Sequence, residues 1–275
     1  MKQNSNIIGQ ATLTNEIGRI LDIFIASEGK IRPHFILTGE SGSGKSFTIK
    51  SLCRQKDIGC LEINAAQITK EGTSGNSLSK ALSPIMNMKA KKVVVFVDEF
   101  DKLFISTNSN SSVANEVTVG VQNEFLKVLE SESTAVYGDY GKYVDADVSR
   151  VLFVFAGAFN NEEKITLDKL RNFGVKTEFL GRVGLIYNTK RLTIEDLYVI
   201  LENSELLDTY MKIFSDVRRE DVIAKIKDFL IQNYNNNTIG ARIINTLINQ
   251  YFIKGGELGI EDVEEVTFQG KLQLN

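Results

Sequence analysis

Eight consecutive residues, Gly39-Glu40-Ser41-Gly42-Ser43-Gly44-Lys45-Ser46, carry the pattern G-x-x-x-x-G-K-[ST]. Glycines let a backbone turn so that successive N–H groups point inward, and a helix starting where the loop ends adds the positive end of its dipole. The product is an anion cradle for the phosphates of a nucleotide such as ATP. Gly42, Ser43 and Gly44 offer backbone N–H groups, Lys45 reaches the β- and γ-phosphates, and the Ser46 hydroxyl ligates Mg²⁺. Phe47 follows at once and is expected beside the bound nucleotide. A mere flexible glycine turn is the alternative, weakened by the apolar run 35–37 upstream and the helical pattern downstream.

A second group of reactive residues ends the run Val93-Val94-Val95-Phe96-Val97-Asp98-Glu99. An apolar strand that stops on two adjacent carboxylates delivers them to one edge of a sheet. Asp98 is expected to hold Mg²⁺, directly or through water, and Glu99 to orient and polarise an attacking water. The pair predicts hydrolysis as well as binding. Solvated acids at a strand end are the plainer reading of the same residues.

These groups need a scaffold. Leu13, Ile17, Ile20, Leu21, Phe24 and Ile25 recur at helical spacing and predict an amphipathic helix that ends near Gly29. Short strand-like runs at 35–37, 58–63, 93–97, 151–155 and 185–187 alternate with helical patterns, which predicts an α/β fold with a parallel sheet covered on both faces. From Thr193 onward only helical patterns follow, at 194–201, 205–214, 221–234 and 239–252. The expected organisation is a large nucleotide-binding α/β domain over 1–190 and a small helical lid over 191–275. Tyr137, Tyr140 and Tyr143, with Gly138 and Gly141 between them, predict a hairpin leading into the strand at 151, either a partner surface or a shield for the sheet edge. The polar segments 106–112 and 233–237 bury too little to repay ordering and are expected to be mobile.

The chain has 275 residues, 43% of them hydrophobic, and a formal charge of -3, so nothing global favours nucleic acid. No apolar run is long enough to cross a membrane and the start lacks a leader pattern, which points to a cytoplasmic protein. Cys53, Cys60 and the lone His34 are too few for a disulfide framework or a four-ligand zinc site, and the cysteines read as small buried hydrophobes. Met86 and Met88 read as core residues on a helix.

From about residue 7 to 252 the sequence resembles AAA+ unfoldase subunits of the ClpX and HslU type. Ile8-Gly9-Gln10 is similar to the family's I-G-Q, Asp98 to Leu103 (DEFDKL) to its D-E-I-D-K-I, and Phe173 to Arg182 (FGVKTEFLGR) to its F-G-L-I-P-E-F-I-G-R. Stretches at 121–130 and 155–159 follow its pattern as well. The resemblance implies a P-loop AAA+ sheet with a helical lid, Ile8 beside the adenine, and Arg182 as an arginine finger on the γ-phosphate of a neighbouring subunit. Capping of the following strand is the structural alternative for Arg182. Gly240-Ala241-Arg242 is similar to the family's G-A-R and implies that Arg242 is the second sensor. A ring or spiral of identical subunits follows, a hexamer by analogy.

Some positions depart from the family. Thr73 stands where the first pore loop carries an aromatic, Asn115 to Thr118 match the second pore loop only loosely, and the first sensor has Ala156 nearby with Asn160 as a candidate. The zinc-binding amino-terminal domain and the insertion that docks on the ClpP peptidase, expected between Phe159 and Asp168, are not found, so that peptidase is not expected as a partner. The expected activity is ATP-driven remodelling of a protein client or an assembly. Two other outputs stay open: a nucleic-acid-associated ATPase such as a loader or transposition-type regulator, and a nucleotide-switched scaffolding subunit.

Overall fold

A computed structural model describes residues 7–70, 76–105, 112–138 and 141–259, with backbone alone for 105 and 112–118. Two compact units divide it: the residues up to Gly39 together with Gly44–Thr189, and Glu40–Ser43 together with the residues from Lys190 onward.

In the first unit α1 (Ala11–Ala26) buries Leu13, Ile17, Leu21 and Phe24 along one stripe. It is followed by β1 (Phe35–Thr38), α2 (Lys45–Gln55), β2 (Gly59–Asn64), the two-residue strands β3 (Ile68–Thr69) and β4 (Asn76–Ser77), and α3 (Leu78–Leu82). Then come β5 (Val93–Asp98), α4 (Lys102–Ile105), α5 (Ser112–Glu130), β6 (Ser133–Tyr137), β7 (Tyr143–Asp147) and β8 (Val151–Gly157). The unit closes with α6 (Leu167–Phe173), α7 (Thr177–Arg182) and β9 (Leu185–Asn188).

Five strands form one sheet in the order β2-β5-β8-β1-β9, with every pairing parallel. Both faces are covered, which is why the inner strands are continuously apolar. Alternate residues feed two separate cores. Val94, Phe96, Leu152 and Val154 pack with the buried sides of α1 and α2, while Val93, Val95, Val97, Phe153 and Phe155 pack with residues of α3 to α7. By the same alternation Asp98 falls on the α2 side. β1 lies between β8 and β9, so the strand order reverses at β1, and the crevice at the carboxyl ends of such strands is where open α/β sheets bind ligands. At the other end of the sheet His34 is buried and its Nδ1 accepts the Phe153 N–H at 3.0 Å, which assigns the ring proton to Nε2. Burial, with a smaller push from Arg32, lowers its pKa to about 3.

The second unit packs α8 (Ile194–Glu202), α9 (Glu205–Ile213), α10 (Arg219–Asn233) and α11 (Arg242–Ile253) around Leu197, Leu201, Leu207, Ile226, Ile244 and Ile248. Reciprocal bonds between Thr193 and Asp196 cap α8, and the Ser204 hydroxyl caps α9.

Several expectations change. Residues 233–237 are not left without structure: Tyr234–Asn236 form a tight helical turn, and the Tyr234 hydroxyl donates to the Leu192 carbonyl at 2.7 Å. One anchored aromatic ring supplies the burial that the asparagines lack. The last helix begins at Arg242 rather than 239, because Asn237 Nδ2 donates to the Gly240 carbonyl and Gly240 takes φ +55°. Met86 is exposed on a short tight turn of helix, whereas Met88 packs partly against the core. Cys53 is buried, Cys60 is half-buried, and both thiols are free. The tyrosine hairpin is present, with Tyr137 opposite Tyr143, although Tyr140 lies outside the described residues. So do Thr73 and 106–111, while 115–118 fall within the helical backbone of α5.

Candidate functional site

β1 runs into Gly39 at φ +142°, and α2 starts at Lys45 after Gly44 at φ +93°. Lys45 Nζ donates to the Gly39 carbonyl at 2.5 Å, bending its stem back over the loop. No side chain caps the amino end of α2, and no carboxylate stands in its first turn to compete for the N–H groups there.

The acidic half arrives on β5. Ser46 Oγ donates to Asp98 Oδ2 at 3.2 Å, and Asp98 Oδ1 accepts the Glu99 N–H at 2.9 Å. Glu99 itself takes φ +55°, a left-handed conformation costly for a non-glycine residue, which turns the chain sharply out of the sheet. Its side chain is held from the next strand: Asn64 Nδ2 donates to Glu99 Oε2 at 3.0 Å. The amide cannot be reversed without loss, because Asn64 Oδ1 accepts the Ala66 N–H at 2.9 Å. Among the described residues Glu99 Oε1 has no hydrogen-bond partner. Behind the turn, Phe100 donates its N–H to the Ala156 carbonyl, and buried Asp101 accepts the Phe159 N–H at 3.2 Å.

A hydroxyl and a carboxylate oxygen converging at Ser46 and Asp98 match the oxygen donors of Mg²⁺, which completes its shell with phosphate and water. Among the described residues no group of three or more acidic, histidine or cysteine side chains is placed to hold a metal by itself.

Within the second unit, residues 40–43 meet the turn before α11. Ala241 donates its N–H to the Gly42 carbonyl at 3.0 Å, and Arg242 Nη1 donates to Ser41 Oγ at 3.0 Å. A Cβ on Gly42 would lie 2.0 Å from the Ile239 carbonyl oxygen, at a φ of +73°, so only glycine fits. Arg191, Leu192, Asn237 and Gly240 line a small hollow with Glu40, Ser41 and Ser43.

A family model for the ATPase family associated with various cellular activities (AAA) matches residues 35–179, more than half of the chain. The chain belongs to the AAA ATPases. Membership brings nucleotide binding with it. The chain is 29% identical over 218 residues to an ATP-dependent Clp protease ATP-binding subunit ClpX 2 of Wolinella succinogenes, covering 67% of this chain and 55% of that protein. It is 22% identical over 263 residues to ATP-dependent Clp protease ATP-binding subunits ClpX of Porphyromonas gingivalis and Bacteroides fragilis. Those matches cover 79% of this chain and 64% and 63% of the relatives. The chain thus spans 55 to 64% of the length of these relatives.

Of the residues singled out from sequence, Ser46, Asp98 and Glu99 form one hydrogen-bonded chain, with Lys45 beside Ser46 at the start of α2. Ile8 is half-buried just before α1, and Phe47 is 53% exposed on α2. Arg182 is bonded to none of them. Its Nε and Nη2 both meet Glu130 Oε1, at 2.8 and 2.7 Å, on the exposed end of α7. Asn160 is exposed at φ +57°, between Phe159 and Asn161, which also have positive φ. Ala156 is buried in β8. Sequence reading overlooked Asn64 and gave Glu130 no role of its own. A polar residue closing β2 was a visible signal for the first, but only the pairing of Asn64 with Asp98 gives it meaning. Among the described residues no helix is long and apolar enough to cross a membrane.

Proposed function

We propose that this AAA ATPase hydrolyses ATP to remodel a protein or macromolecular assembly, and that Arg182 completes the site of an adjoining identical subunit. The observation that carries the reading is the Ser46–Asp98–Glu99–Asn64 chain of hydrogen bonds. A loop that only holds phosphate has no use for a carboxylate fixed on one oxygen and open on the other.

The backbone of 42–44 and Lys45 bind and orient the phosphates, and Phe47 and Ile8 flank the base. A magnesium ion held by Ser46 and Asp98 would neutralise charge across the phosphates. Glu99 accepts a hydrogen bond from the attacking water and draws off its proton as the water adds to the terminal phosphorus and the bond from that phosphorus to the bridging oxygen breaks, releasing ADP and phosphate. The Asn64 bond keeps the carboxylate aimed while it does so. Arg182 brings a guanidinium to the oxygens that gain charge in the transition state, which ties hydrolysis to assembly in a ring or spiral.

The part from 191 onward acts as the lid. Arg242, bonded to Ser41 at the loop, supports its role as the sensor that reports nucleotide to the lid. Independence from a ClpP-type peptidase is supported by the connection after β8. The chain reaches α6 from the turn Phe159–Asn161 through 162–166 alone, too short to carry a docking insertion.

A Glu99→Gln variant tests the reading. It is expected to bind ATP, to hydrolyse it at least about 100-fold more slowly, and to retain its client for identification by mass spectrometry. Hydrolysis at the parent rate would remove Glu99 from the chemistry. Stimulation of the parent by DNA and not by protein clients would replace the remodelling output with a nucleic-acid one.

A further inference from the structure

We propose that Glu130 is the positioning residue of the finger: it holds the side edge of the Arg182 guanidinium and leaves the end-on fork for phosphate. This rests on the reading of Arg182 given above.

A helix of six residues such as α7 does not hold itself together, so its place is set by what it packs on. Phe179 is fully buried, stacked on Phe100 with ring centroids 5.2 Å apart and edge-on to Phe155 at 5.0 Å. The approach to α7 is bracketed by Gln122 of α5, only 1% exposed: Nε2 donates to the Gly174 carbonyl at 3.2 Å and Oε1 accepts the Lys176 N–H at 3.0 Å. Asn123 Oδ1 accepts from Lys176 Nζ at 2.7 Å. At the far end, Glu130 closes α5 and takes Arg182. One helix therefore fixes both the entry of the finger helix and the finger itself.

The donor arithmetic gives the pair its function. Guanidinium carries five N–H groups in one plane. Nε–H and one Nη2–H go to Glu130 Oε1, while the Nη1 donors and the second Nη2–H are not used by Glu130. That remaining fork is the one matched to two phosphate oxygens. Glu130 need not release Arg182 for the finger to act; it sets the plane in which the fork lies. The two side chains are 56% and 47% exposed, so the pair does little for folding. A role in orientation and a role in stability therefore separate cleanly.

The experiment measures steady-state ATPase at saturating protein for Glu130→Ala, Glu130→Gln, Arg182→Ala and the Glu130→Ala/Arg182→Ala double variant, with radiolabelled ATP for the slow ones. Glu130→Ala is expected to lower kcat about fivefold with KM for ATP and thermal midpoint nearly unchanged. Glu130→Gln, which keeps an acceptor oxygen, is expected to fall between it and the parent. In the Arg182→Ala background, Glu130→Ala should change nothing further, because its target is gone. Multiplying losses in the double variant, or a lowered thermal midpoint with unchanged kcat, would overturn the proposal and leave Arg182 as the finger. An Arg182→Ala variant as fast as the parent would instead remove the finger reading itself, and this one with it.

Discussion

Asp98 and Glu99 leave the end of a strand buried on both faces, whereas Arg182 leaves a six-residue helix at the surface. Around the carboxylates, Ser46 of α2, Asn64 at the end of the paired strand β2 and the Glu99 backbone N–H satisfy polar atoms. Around Arg182 the only partner among the described residues is one exposed carboxylate. On the proposed reading of Glu99 and Arg182, the contrast separates what would act inside its own subunit from what would meet another. A carboxylate that aims a water works only if its geometry precedes the substrate, and the Asn64 bond with the turn at Glu99 would supply that geometry. A group that completes a neighbour's site has to present unused donors at the surface, and helix packing rather than burial of the charge must place it.

The two regions touch through aromatic rings, since Phe100 follows Glu99 directly and stacks on Phe179, three residues before Arg182. Experiments can break this pairing into parts. The largest effect is expected from Arg182→Ala, a loss of about 1,000-fold in kcat with an unchanged unfolding midpoint. A variant that loses rate and stability together would make Arg182 a structural capping residue. Next comes Phe179→Ala, which empties a buried ring site and should cost roughly 3–5 kcal/mol in urea unfolding, with the ATPase lost as α7 shifts. A cost under about 1 kcal/mol would show that α7 does not depend on the ring cluster.

Acid titration probes the opposite end of the sheet from the carboxylates. His34 is neutral when folded and protonates near its ordinary 6.5 when unfolded, so the unfolded chain binds the extra proton between pH 6.5 and about 3. This stability is complete above pH 6.5 and falls as pH drops, by about 1.4 kcal/mol per unit, or ~2 kcal/mol at pH 5. His34→Gln should flatten that slope between pH 6.5 and 5, and identical slopes would show the ring is not held neutral. A smaller effect than these belongs to Asn64→Ala: roughly a tenfold drop in kcat, the worth of one hydrogen bond to a charged group, with little change in stability.

What the sequence disclosed followed the distance over which each signal operates. Gly39 to Ser46 and Val93 to Glu99 are contiguous, so loop, strand and chemistry could be read together. The five strands and most helices were legible from periodicity, and the tyrosine hairpin from its glycines. The order β2-β5-β8-β1-β9 was not, because pairing between strands leaves no local trace. Asn64 is the clearest case: it looks like any polar strand end until β2 and β5 are in register. Glu130 was noticed only as part of a family pattern, since its partner is 52 residues away. Residues 233–237 misled in the other direction, because asparagine content hid the single ring, Tyr234, that orders the turn.

The claim that two subunits build each site is tested most directly by mixing an Arg182→Ala chain with a Lys45→Ala chain, each carrying a different tag, and assaying assemblies purified through both tags. Alone, neither should hydrolyse ATP at more than about a thousandth of the parent rate. Together they should regain a substantial fraction, because some interfaces pair an intact Lys45 with an intact Arg182. Doubly tagged assemblies that form and stay inactive would contradict the shared site.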